Sequence, residues 1–332
     1  MPTNVSSRRP APANRPTDRT ANISEVSIID PIQLLSPVFS GDAAKPVVAV
    51  AAAAESHVLQ SVARAYADGI ADFILFGDVA AMRAIAAVDG IDLAALELQD
   101  VPDPLDAAKA AVLAVREGRA SALMKGLVET TPLLRAVLDK EQGIRGEHRL
   151  SHLAMFMMPK SVYPKPLFLT DAAVNIAPDG KLFTDIIENA VGAMRALGVE
   201  HPTLALVCGK ENVDPNMPIT SVYAELAARN AAGWLPDATV YGPIALDGAV
   251  SPSAARTKGI DHADAGNADA IVVPDLAAGN MLHKSLTIFA GLPVGSVVLG
   301  AKAPIIISSR SDSAENKLLS IALGAAISRV GH

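Results

Sequence analysis

The sequence predicts an α/β protein of two domains, each a doubly wound parallel sheet with helices on both faces. Short apolar runs alternate with stretches of helical spacing along most of the chain, which is the pattern of βαβ units. A length of 332 residues points to about two domains of ordinary size. The rhythm breaks near 143–166, where glycine and proline interrupt it, so we place a domain boundary there.

Before this break, the first half is a regular series of elements. The pattern predicts strands at 45–53, 71–77, 96–100 and 119–126, and helices at 55–69, 78–88, 103–118 and 130–141. Residues 1–22 are rich in proline, arginine, asparagine and threonine without periodicity, so we expect a disordered tail. A short amphipathic helix is predicted at 32–39.

The second half repeats the alternation. The pattern predicts strands at 166–175, 202–209, 238–242, 269–273, 293–300 and 305–307, and helices at 182–198, 221–233, 276–291 and from about Ser313 onward. In open parallel sheets, ligands bind beyond the carboxyl ends of the strands. The loops that lead into helices are therefore the places to look for chemistry.

Composition excludes several classes of protein. A net charge of −7 argues against nucleic acid as a partner. No apolar run approaches the length of about 20 residues that a membrane span needs, and the polar N-terminus does not resemble a signal peptide. The single cysteine rules out an internal disulfide, and the seven histidines lack metal-binding spacing. We expect a cytoplasmic protein without a metal centre.

The stretch 304–320 carries the strongest local signal. A β-branched run at 305–307 is followed by five polar residues, 308–312, and then by helical spacing. A strand-to-helix turn of this kind aims backbone N–H groups and hydroxyls at one spot, and Arg310 adds a guanidinium, so the turn is a candidate anion site. The alternative is that Ser311, Asp312 or Ser313 only caps the last helix.

A second candidate lies at 124–135. Thr130 and Thr131 precede Pro132 at a predicted first helical turn, and Arg135 follows one turn later. Hydroxyls, helix N–H groups and a guanidinium would together hold a phosphate or an oxyanion. The alternative is that one of the threonines caps the helix. The turn is not a Walker A loop, because GxxxxGK[ST] is absent.

Three further loops carry candidate residues. Arg149 lies in the interrupted segment, where the alternative is an exposed surface arginine. Asp171 follows an apolar strand and is a candidate site residue at its carboxyl end. Gly279 and Asn280 fall in the first turns of a predicted helix, where glycine costs about 1 kcal/mol and often marks the close approach of a backbone or a ligand.

Taken in order, six segments resemble the phosphate acetyl/butyryltransferases. They are MKGLVETTPLLRAVL (124–138), RLSHLAMF (149–156), LTDAAVNIAPD (169–179), GPIALDGAVS (242–251), VVPDLAAGNMLHKSL (272–286) and APIIISSRSDSAENKLLSIAL (303–323). The resemblance covers about residues 30–330, and it is specific through the order and spacing of the motifs.

The resemblance implies transfer of an acyl group between coenzyme A and inorganic phosphate, without a metal or redox cofactor. Acyl-CoA and phosphate would be the substrates, and the protein would commonly be a homodimer. The active site would lie in the cleft between two α/β domains. The first domain would be discontinuous, with 30–148 joined by 305–332, and the second would span 149–304.

Residue by residue, Ser309 and Arg310 match the Ser–Arg pair of that family's active site. Thr130, Thr131 and Arg135 match the turn that the family uses for phosphate. The position of the proposed basic aspartate of acetyl-type members is occupied by Asn316. The pattern SRxDSxExK resembles the butyryl-type branch, and Asp312 and Glu315 are the nearest carboxylates.

The reaction needs a deprotonated thiol, a stabilised oxyanion and a bound phosphate. We expect Arg310, Arg135 and the threonine turn to bind phosphate. Ser309 would stabilise the oxyanion or the thiolate, and Asp312, or else Glu315, would move the proton. The full set of substrate-binding candidates is Thr130, Thr131, Arg135, Arg149, Asp171 and Asn280.

Three other functions remain open at this point. A dehydrogenase of the isocitrate or hydroxythreonine-phosphate type would require a metal-binding carboxylate cluster. An acyltransferase could take its acyl group from acyl carrier protein, although the negative net charge opposes an acidic carrier. A non-catalytic protein that binds CoA or acyl phosphate is the third, because Asn316 occupies the position of the expected base. The sequence does not fix the length of the acyl chain.

Overall fold

The computed structural model describes Phe39, residues 44–309 and residues 312–329. The predicted tail at 1–22 lies outside these residues, and so does the predicted helix at 32–39 apart from Phe39. Arg310, a predicted catalytic residue, is also outside the described part of the chain.

The described residues alternate between strands and helices. The strands are β1 (Val47–Ala51), β2 (Asp72–Gly77), β3 (Glu97–Asp100), β4 (Ala122–Lys125), β5 (Ser151–Phe156), β6 (Leu167–Thr170), β7 (Thr203–Val207), β8 (Thr239–Ile244), β9 (Ala270–Val272), β10 (Val294–Leu299) and β11 (Ile305–Ile306). The α-helices are α1 (Ser56–Ala67), α2 (Val79–Asp89), α3 (Pro104–Arg116), α4 (Thr130–Val137), α5 (Gly180–Ala196), α6 (Ile219–Ala231), α7 (Leu246–Val250), α8 (Pro252–Thr257), α9 (Leu276–Lys284) and α10 (Ala314–Arg329). A π-helical turn, Ser285–Phe289, continues α9.

All strands of the described residues join one sheet of eleven strands in the order β3-β2-β1-β4-β11-β10-β5-β6-β9-β7-β8. The group from β3 to β11 is parallel, and so is the group from β6 to β8. Between the two groups, β10 is antiparallel to β11 and to β5, and β5 is antiparallel to β6. The predicted α/β class, with parallel strands and helices on both faces, is confirmed, but the described strands form one mixed sheet where two parallel sheets were predicted.

The helices begin where short polar side chains cap them. Asp78, Asp103, Asp179 and Asp275 each accept a hydrogen bond from a backbone N–H in the first turn of α2, α3, α5 and α9. An aspartate at this position satisfies one of the free N–H groups and interacts favourably with the positive end of the helix dipole. These residues set the points where the chain turns from strand to helix.

Three features depart from the predicted elements. Strand β5 lies inside the segment where the sequence pattern is interrupted. It was not predicted, because it is buried on both faces and begins with two polar residues, Ser151 and His152. Helices α7 and α8 were not predicted; both are short, and Asp247, Gly248 and Pro252 are typical of turns. The predicted helix at 276–291 is α-helical only to Lys284.

The two faces of the sheet differ. On one face, a single apolar core extends under α1, α2, α5, α6 and α10. On the other face there are two separate cores, one under α3 and α4 and one beside α7 and α9. In β5, Leu153 and Met155 point into the continuous core, whereas Ala154 and Phe156 belong to the divided face. The apolar packing on the divided face is therefore interrupted over the central strands.

Helix α10 is the central element of the continuous face. Its residues from Lys317 to Ile327 are buried without exception, and it packs against β10 and α1. Two glycines allow this close packing. A Cβ at Gly324 would lie 2.4 Å from Cγ1 of Ile306, and one at Gly295 would lie 3.0 Å from the carbonyl oxygen of Leu319. The last helix of the chain thus lies at the junction of the two parallel groups.

Candidate active site

Two strand-to-helix turns leave the sheet side by side. Strand β11 pairs in parallel with β4, with Ile305 beside Leu123 and Ile306 beside Met124. The chain after each strand consequently emerges at the same edge, so the turn 126–131 lies next to residues 307–309. Of the predicted site residues, Thr130, Thr131, Ser309 and Asp312 lie at this edge of the sheet. This is the kind of edge at which parallel sheets bind ligands.

The turn before α4 has an uncapped helix N-terminus. Glu129 occupies the N-cap position and makes no side-chain capping bond, and Thr130 and Thr131 are the first two helical residues. The proposal that a threonine caps this helix is therefore wrong for the described structure. Thr131 is exposed, and Thr130 is half-buried. An uncapped helix N-terminus with hydroxyls in its first turn is well suited to an anion.

Glycine is required where this turn passes β1. A Cβ at Gly126 would lie 2.3 Å from the carbonyl oxygen of Ala52. The backbone N–H groups of Gly126 and Leu127 donate to the carbonyls of Ala51 and Ala52, at 2.8 and 2.7 Å. The turn is thus held against the neighbouring loop by backbone hydrogen bonds.

Arg135 lies further along α4 and is exposed. It lines a groove of about 440 Å³ between α3 and α4, together with Leu105 and Lys109. The structure does not show a contact between Arg135 and the turn at Ser309. Its predicted role in phosphate binding stays a prediction.

The turn after β11 is closed by a reciprocal pair of hydrogen bonds. The N–H of Ser309 donates to Oδ2 of Asp312 at 2.6 Å, and the N–H of Asp312 donates to the carbonyl of Ser309 at 3.1 Å. Ser309 is exposed, and Asp312 is half-buried. One carboxylate oxygen of Asp312 is thus committed to the turn, and the second is the oxygen with which it can accept a proton.

Asn316 has a structural partner. Its Oδ1 accepts a hydrogen bond from the backbone N–H of Val294 at 3.2 Å, at the start of β10. Its own N–H donates to Oγ of Ser313 at 3.2 Å, so Ser313 caps α10, as one alternative predicted. Asn316, at the position where a basic aspartate was expected, instead links α10 to β10 through this hydrogen bond.

Two buried lysines beneath these turns were not singled out from the sequence. Nζ of Lys125 donates to the carbonyls of Gly126 and Val128, at 3.3 and 3.2 Å. Nζ of Lys317 donates to the carbonyl of Ser309 at 2.9 Å. Both side chains are almost fully buried, at 6% and 3% exposure. The available signal for Lys317 was its position at the head of the apolar run LLSIALGAAI.

A second polar group surrounds the loop after β6. The buried carboxylate of Asp171 accepts hydrogen bonds from the N–H groups of Ala173 and Val174, both at 2.9 Å, and from Nδ2 of Asn175 at 2.7 Å. Nδ2 of Asn280 donates to the carbonyl of Ala172 at 3.4 Å. Asp171 and Asn280 are thus neighbours, and Asp171 holds the shape of its own loop.

Two histidines lie near this loop. The rings of His152 and His283 meet edge to face, with centroids 5.9 Å apart. Burial lowers the pKa of His152, although the Asp171 carboxylate opposes this effect. Burial, with smaller effects from His152 and Lys284, lowers the pKa of His283 to about 4. Both rings are therefore neutral near pH 7, and Nδ1 of His152 is buried without a hydrogen-bond partner in the described structure.

Arg149 belongs to the second group by position. It is exposed and lies two residues before the start of β5. Its N–H donates to Oδ2 of Asp185 at 3.1 Å, and its carbonyl accepts from Nδ2 of Asn189 at 2.9 Å. Ser151, at the start of β5, pairs with Leu299 at the end of β10, whereas the Ser309 turn lies near Val294 at the start of β10. The five residue steps of β10 separate the two groups by roughly 17 Å.

Within the described residues, one group of side chains has the composition of a cation site. His148, Asp185 and Glu188 offer ligand atoms within 4.8 Å of one another. Nδ1 of His148 lies 3.3 Å from Glu188 and 3.8 Å from Asp185, so the group is also an ion-pair cluster when the imidazole is protonated. The other oxygens of the two carboxylates accept from the N–H of Arg149 and from Nε1 of Trp234.

Two other residues with reactive side chains have ordinary surroundings. Burial raises the pKa of the half-buried Cys208 thiol, which disfavours the thiolate that a nucleophile needs. Asp247 accepts a hydrogen bond from Lys258 at 2.7 Å, which lowers the pKa of the Asp247 carboxyl group.

Among the described residues, no helix has the length and apolar character needed to cross a bilayer.

Comparison with known proteins identifies the family. A family model described as phosphate acetyl/butaryl transferase matches residues 100–325. The phosphate butyryltransferase of Clostridium acetobutylicum is 40% identical over 280 residues, which cover 84% of this chain and 92% of that protein. The chain belongs to the phosphate acetyl/butyryltransferase family. The resemblance stated from the six motifs is confirmed.

Similarity to further proteins supports membership of this family. The phosphate acetyltransferase of Thermotoga maritima is 36% identical over 277 residues, which cover 83% of this chain and 93% of that protein. The crystal structure of a branched-chain phosphotransacylase from Enterococcus faecalis superposes with a TM-score of 0.76 at 32% identity, covering 86% of this chain and 100% of the other. The members of this phosphate acyltransferase family are enzymes, and the fold is shared.

The close approach at Gly279 gives a stability prediction. A Cβ there would lie 2.6 Å from the carbonyl oxygen of Asp171 and 2.9 Å from Cα of Ala172, both backbone atoms. We expect Gly279→Ala to lower the free energy of unfolding by about 1–3 kcal/mol. Gly192→Ala is the matched control, because Gly192 is also helical and a Cβ added there would meet no atom within 4 Å.

Alanine at position 192 should raise the free energy of unfolding by about 0.5–1 kcal/mol through helix propensity. Urea and thermal unfolding of both variants provide the measurement. Equal stability of the two variants would show that the loop after β6 does not press on α9.

The hydrogen bond of Asn316 gives a second stability prediction. Asn316→Ala removes the acceptor of the Val294 N–H, and leaving this strand donor unpaired should cost about 1–3 kcal/mol. Asn316→Asp retains an acceptor oxygen and should lose less. Thermal unfolding of both variants checks the order. If alanine proved as stable as asparagine, Asn316 would not hold α10 to β10.

Proposed function

We propose that this protein transfers a short acyl group reversibly between coenzyme A and inorganic phosphate, which yields an acyl phosphate and free CoA. Family membership supports the reaction. The observation that carries the proposal for the site is the pairing of β11 with β4, which sets an uncapped helix N-terminus beside the Ser309 turn. We propose acyl-CoA and phosphate as the only small molecules that the reaction requires, with no further cofactor.

In the forward reaction, a phosphate oxygen attacks the thioester carbonyl carbon. The tetrahedral oxyanion then collapses, the C–S bond breaks, and the sulfur leaves with the electron pair and takes up a proton. Preorganised donors at the oxyanion are usually the largest contribution to such a reaction. We assign phosphate to the N-terminus of α4 with the Thr130 and Thr131 hydroxyls, and to Arg310 by family resemblance.

Ser309 is assigned to the oxyanion or the thiolate, because it is exposed at the cleft edge while its backbone is fixed by Asp312. Asp312 is assigned to proton transfer through the carboxylate oxygen that the Ser309 N–H does not occupy. In the reverse direction the same group would accept the thiol proton. Glu315 is exposed and is the alternative carboxylate.

The second polar group suits the rest of a long substrate. Coenzyme A carries its thiol and its charged nucleotide at opposite ends of an extended arm. We propose that Arg149, Asp171 and Asn280 form the substrate-binding wall on the other side of the cleft, and that Asp171 acts by shaping its loop. The separation of roughly 17 Å along β10 is compatible with a substrate of this shape.

We propose the residue ranges 30–148 with 305–332, and 149–304, as the two domains. The β11–β4 pairing and the packing of α10 on α1 support the return of the chain end to the first domain. The alternative of a non-catalytic protein rested on Asn316 at the position of the expected base. The hydrogen bond that Asn316 accepts from the Val294 N–H gives a structural reason for an asparagine at this position. We propose a cytoplasmic location, since both substrates are intracellular metabolites.

We further propose that the protein is a homodimer, as family resemblance implies. Met281, Ile288 and Phe289, on α9 and the π-helical turn, are exposed at 66%, 68% and 87%. Large apolar side chains grouped on one surface are typical of a protein interface. A second copy of this chain is the occupant that we propose for this surface.

The reaction is tested by release of free thiol from acetyl-CoA, butyryl-CoA and longer acyl-CoA esters, with and without phosphate. We expect release only with phosphate, and kcat/KM against chain length will define the preferred acyl group. Ser309→Ala should lower kcat by about 100-fold or more through loss of an oxyanion donor. Ser253→Ala, at an exposed serine of α8, is the control and should be unaffected.

Near wild-type formation of acyl phosphate by both Ser309→Ala and Arg310→Ala would contradict the assignment of this turn. Absence of phosphate-dependent release by the wild-type protein with every ester would contradict the proposed function itself. Release from acyl carrier protein in preference to CoA would favour the carrier-dependent alternative.

The dimer is tested by light scattering after size-exclusion chromatography. The wild-type protein should elute with twice the mass of the chain, and Phe289→Lys should shift it to the monomer, because a charged side chain would be desolvated at the interface. Val88→Lys is the control, since Val88 is also highly exposed, at 86%, but lies on α2. A Phe289→Lys protein that remained dimeric would place the interface elsewhere.

A further inference from the structure

Lys317 carries a buried charge without a described counter-ion. Its side chain is 3% exposed, and Nζ makes one hydrogen bond, to the carbonyl of Ser309 at 2.9 Å. An ammonium group has three donors. Across residues 44–309 and 312–329, no carboxylate forms an ion pair with it. The carbonyl that it contacts is neutral, so the ammonium group has no direct ion-pair partner among the described residues.

Such an arrangement is expensive for the folded protein. Removing an ammonium group from water costs several kcal/mol, which an opposite charge has to offset. A methionine of similar length would fill the same space without this cost. The retention of a lysine here therefore points to a negative charge that is present when the protein works.

The position of the ammonium group indicates where this charge would bind. Lys317 lies in the first turns of α10, directly beneath the turn that Ser309 and Asp312 close. Ser309 itself is exposed to solvent. A second buried lysine, Lys125, donates to the carbonyls of the adjacent turn before α4. Both turns proposed to bind phosphate thus have an ammonium group under their backbone.

We infer that Lys317 is a phosphate-affinity residue of this enzyme: its ammonium holds the Ser309 carbonyl and supplies the positive charge that a phosphate dianion bound beside Ser309 neutralises. The inference rests on the proposed function and adds to it a residue outside the surface of the cleft. Lys317 acts through the Ser309 backbone and through its charge, so it is a positioning residue and not a catalytic one.

The test separates charge from hydrogen bonding. Lys317→Gln retains a donor for the Ser309 carbonyl but removes the charge, and Lys317→Met removes both. Lys181→Met is the matched control, because Lys181 is exposed in the first turn of α5 and loses the same charge. The measurements are KM for inorganic phosphate, KM for butyryl-CoA, and the thermal midpoint with and without phosphate.

We expect both Lys317 variants to raise KM for phosphate by about tenfold or more, while KM for butyryl-CoA changes by less than about threefold. Without phosphate, Lys317→Met should unfold at the same temperature as the wild type or higher, because a buried charge has been removed. Added phosphate should raise the midpoint of the wild type and of Lys181→Met, but not that of either Lys317 variant.

Three results would overturn the inference. One is an unchanged KM for phosphate in Lys317→Gln, which would reduce Lys317 to a hydrogen-bond donor. Another is an equal rise in both KM values with a lowered thermal midpoint, which would mark a purely structural residue. The third is a wild-type protein that phosphate does not stabilise. A wild-type protein that phosphate stabilises but that forms no acyl phosphate would instead refute the proposed function and leave the anion site standing.

Discussion

The burial of helix α10 is the constraint on which the rest of the structure depends. This helix is enclosed from Lys317 to Ile327 and contacts β10, α1 and α5, so it bridges the two parallel groups of strands on one face. A helix that is apolar around its whole circumference has to pack against other elements on all sides. The continuous core is formed on this face, whereas the opposite face is divided into two separate cores.

Much of the polar chemistry around the cleft shapes the backbone. Asp171, Asp312 and Asn316 each use a side-chain oxygen to accept a hydrogen bond from a backbone N–H of a nearby loop or strand. These bonds fix the loops at the ends of the central strands, where parallel sheets present ligand sites. The helix N-terminus at Thr130 and the exposed Ser309 are the groups of these turns that we propose for substrate binding.

The sequence predicted the structure correctly where a residue pattern is compatible with only one local structure. Alternating periodicity predicted the α/β class, and Gly279 predicted a close backbone contact that the Asp171 carbonyl provides. Residues whose role depends on distant partners could not be assigned. Strand β5 was missed because a central strand need not alternate, and Lys317 resembles an exposed lysine until its neighbours are known. Asn316 looked like a lost base, although its partner, Val294, lies on another strand.

The placement of β11 and α10 also bears on how the protein is made. Strand β11 pairs with β4, and α10 packs against α1, so the first half of the sheet lacks these neighbours until residues 305–329 have been synthesised. During synthesis β4 is an edge strand, and the apolar side of α1 is uncovered. Such intermediates are prone to aggregate, and contacts between distant segments form slowly. A truncation that removes α10 would leave the apolar side of α1 uncovered permanently.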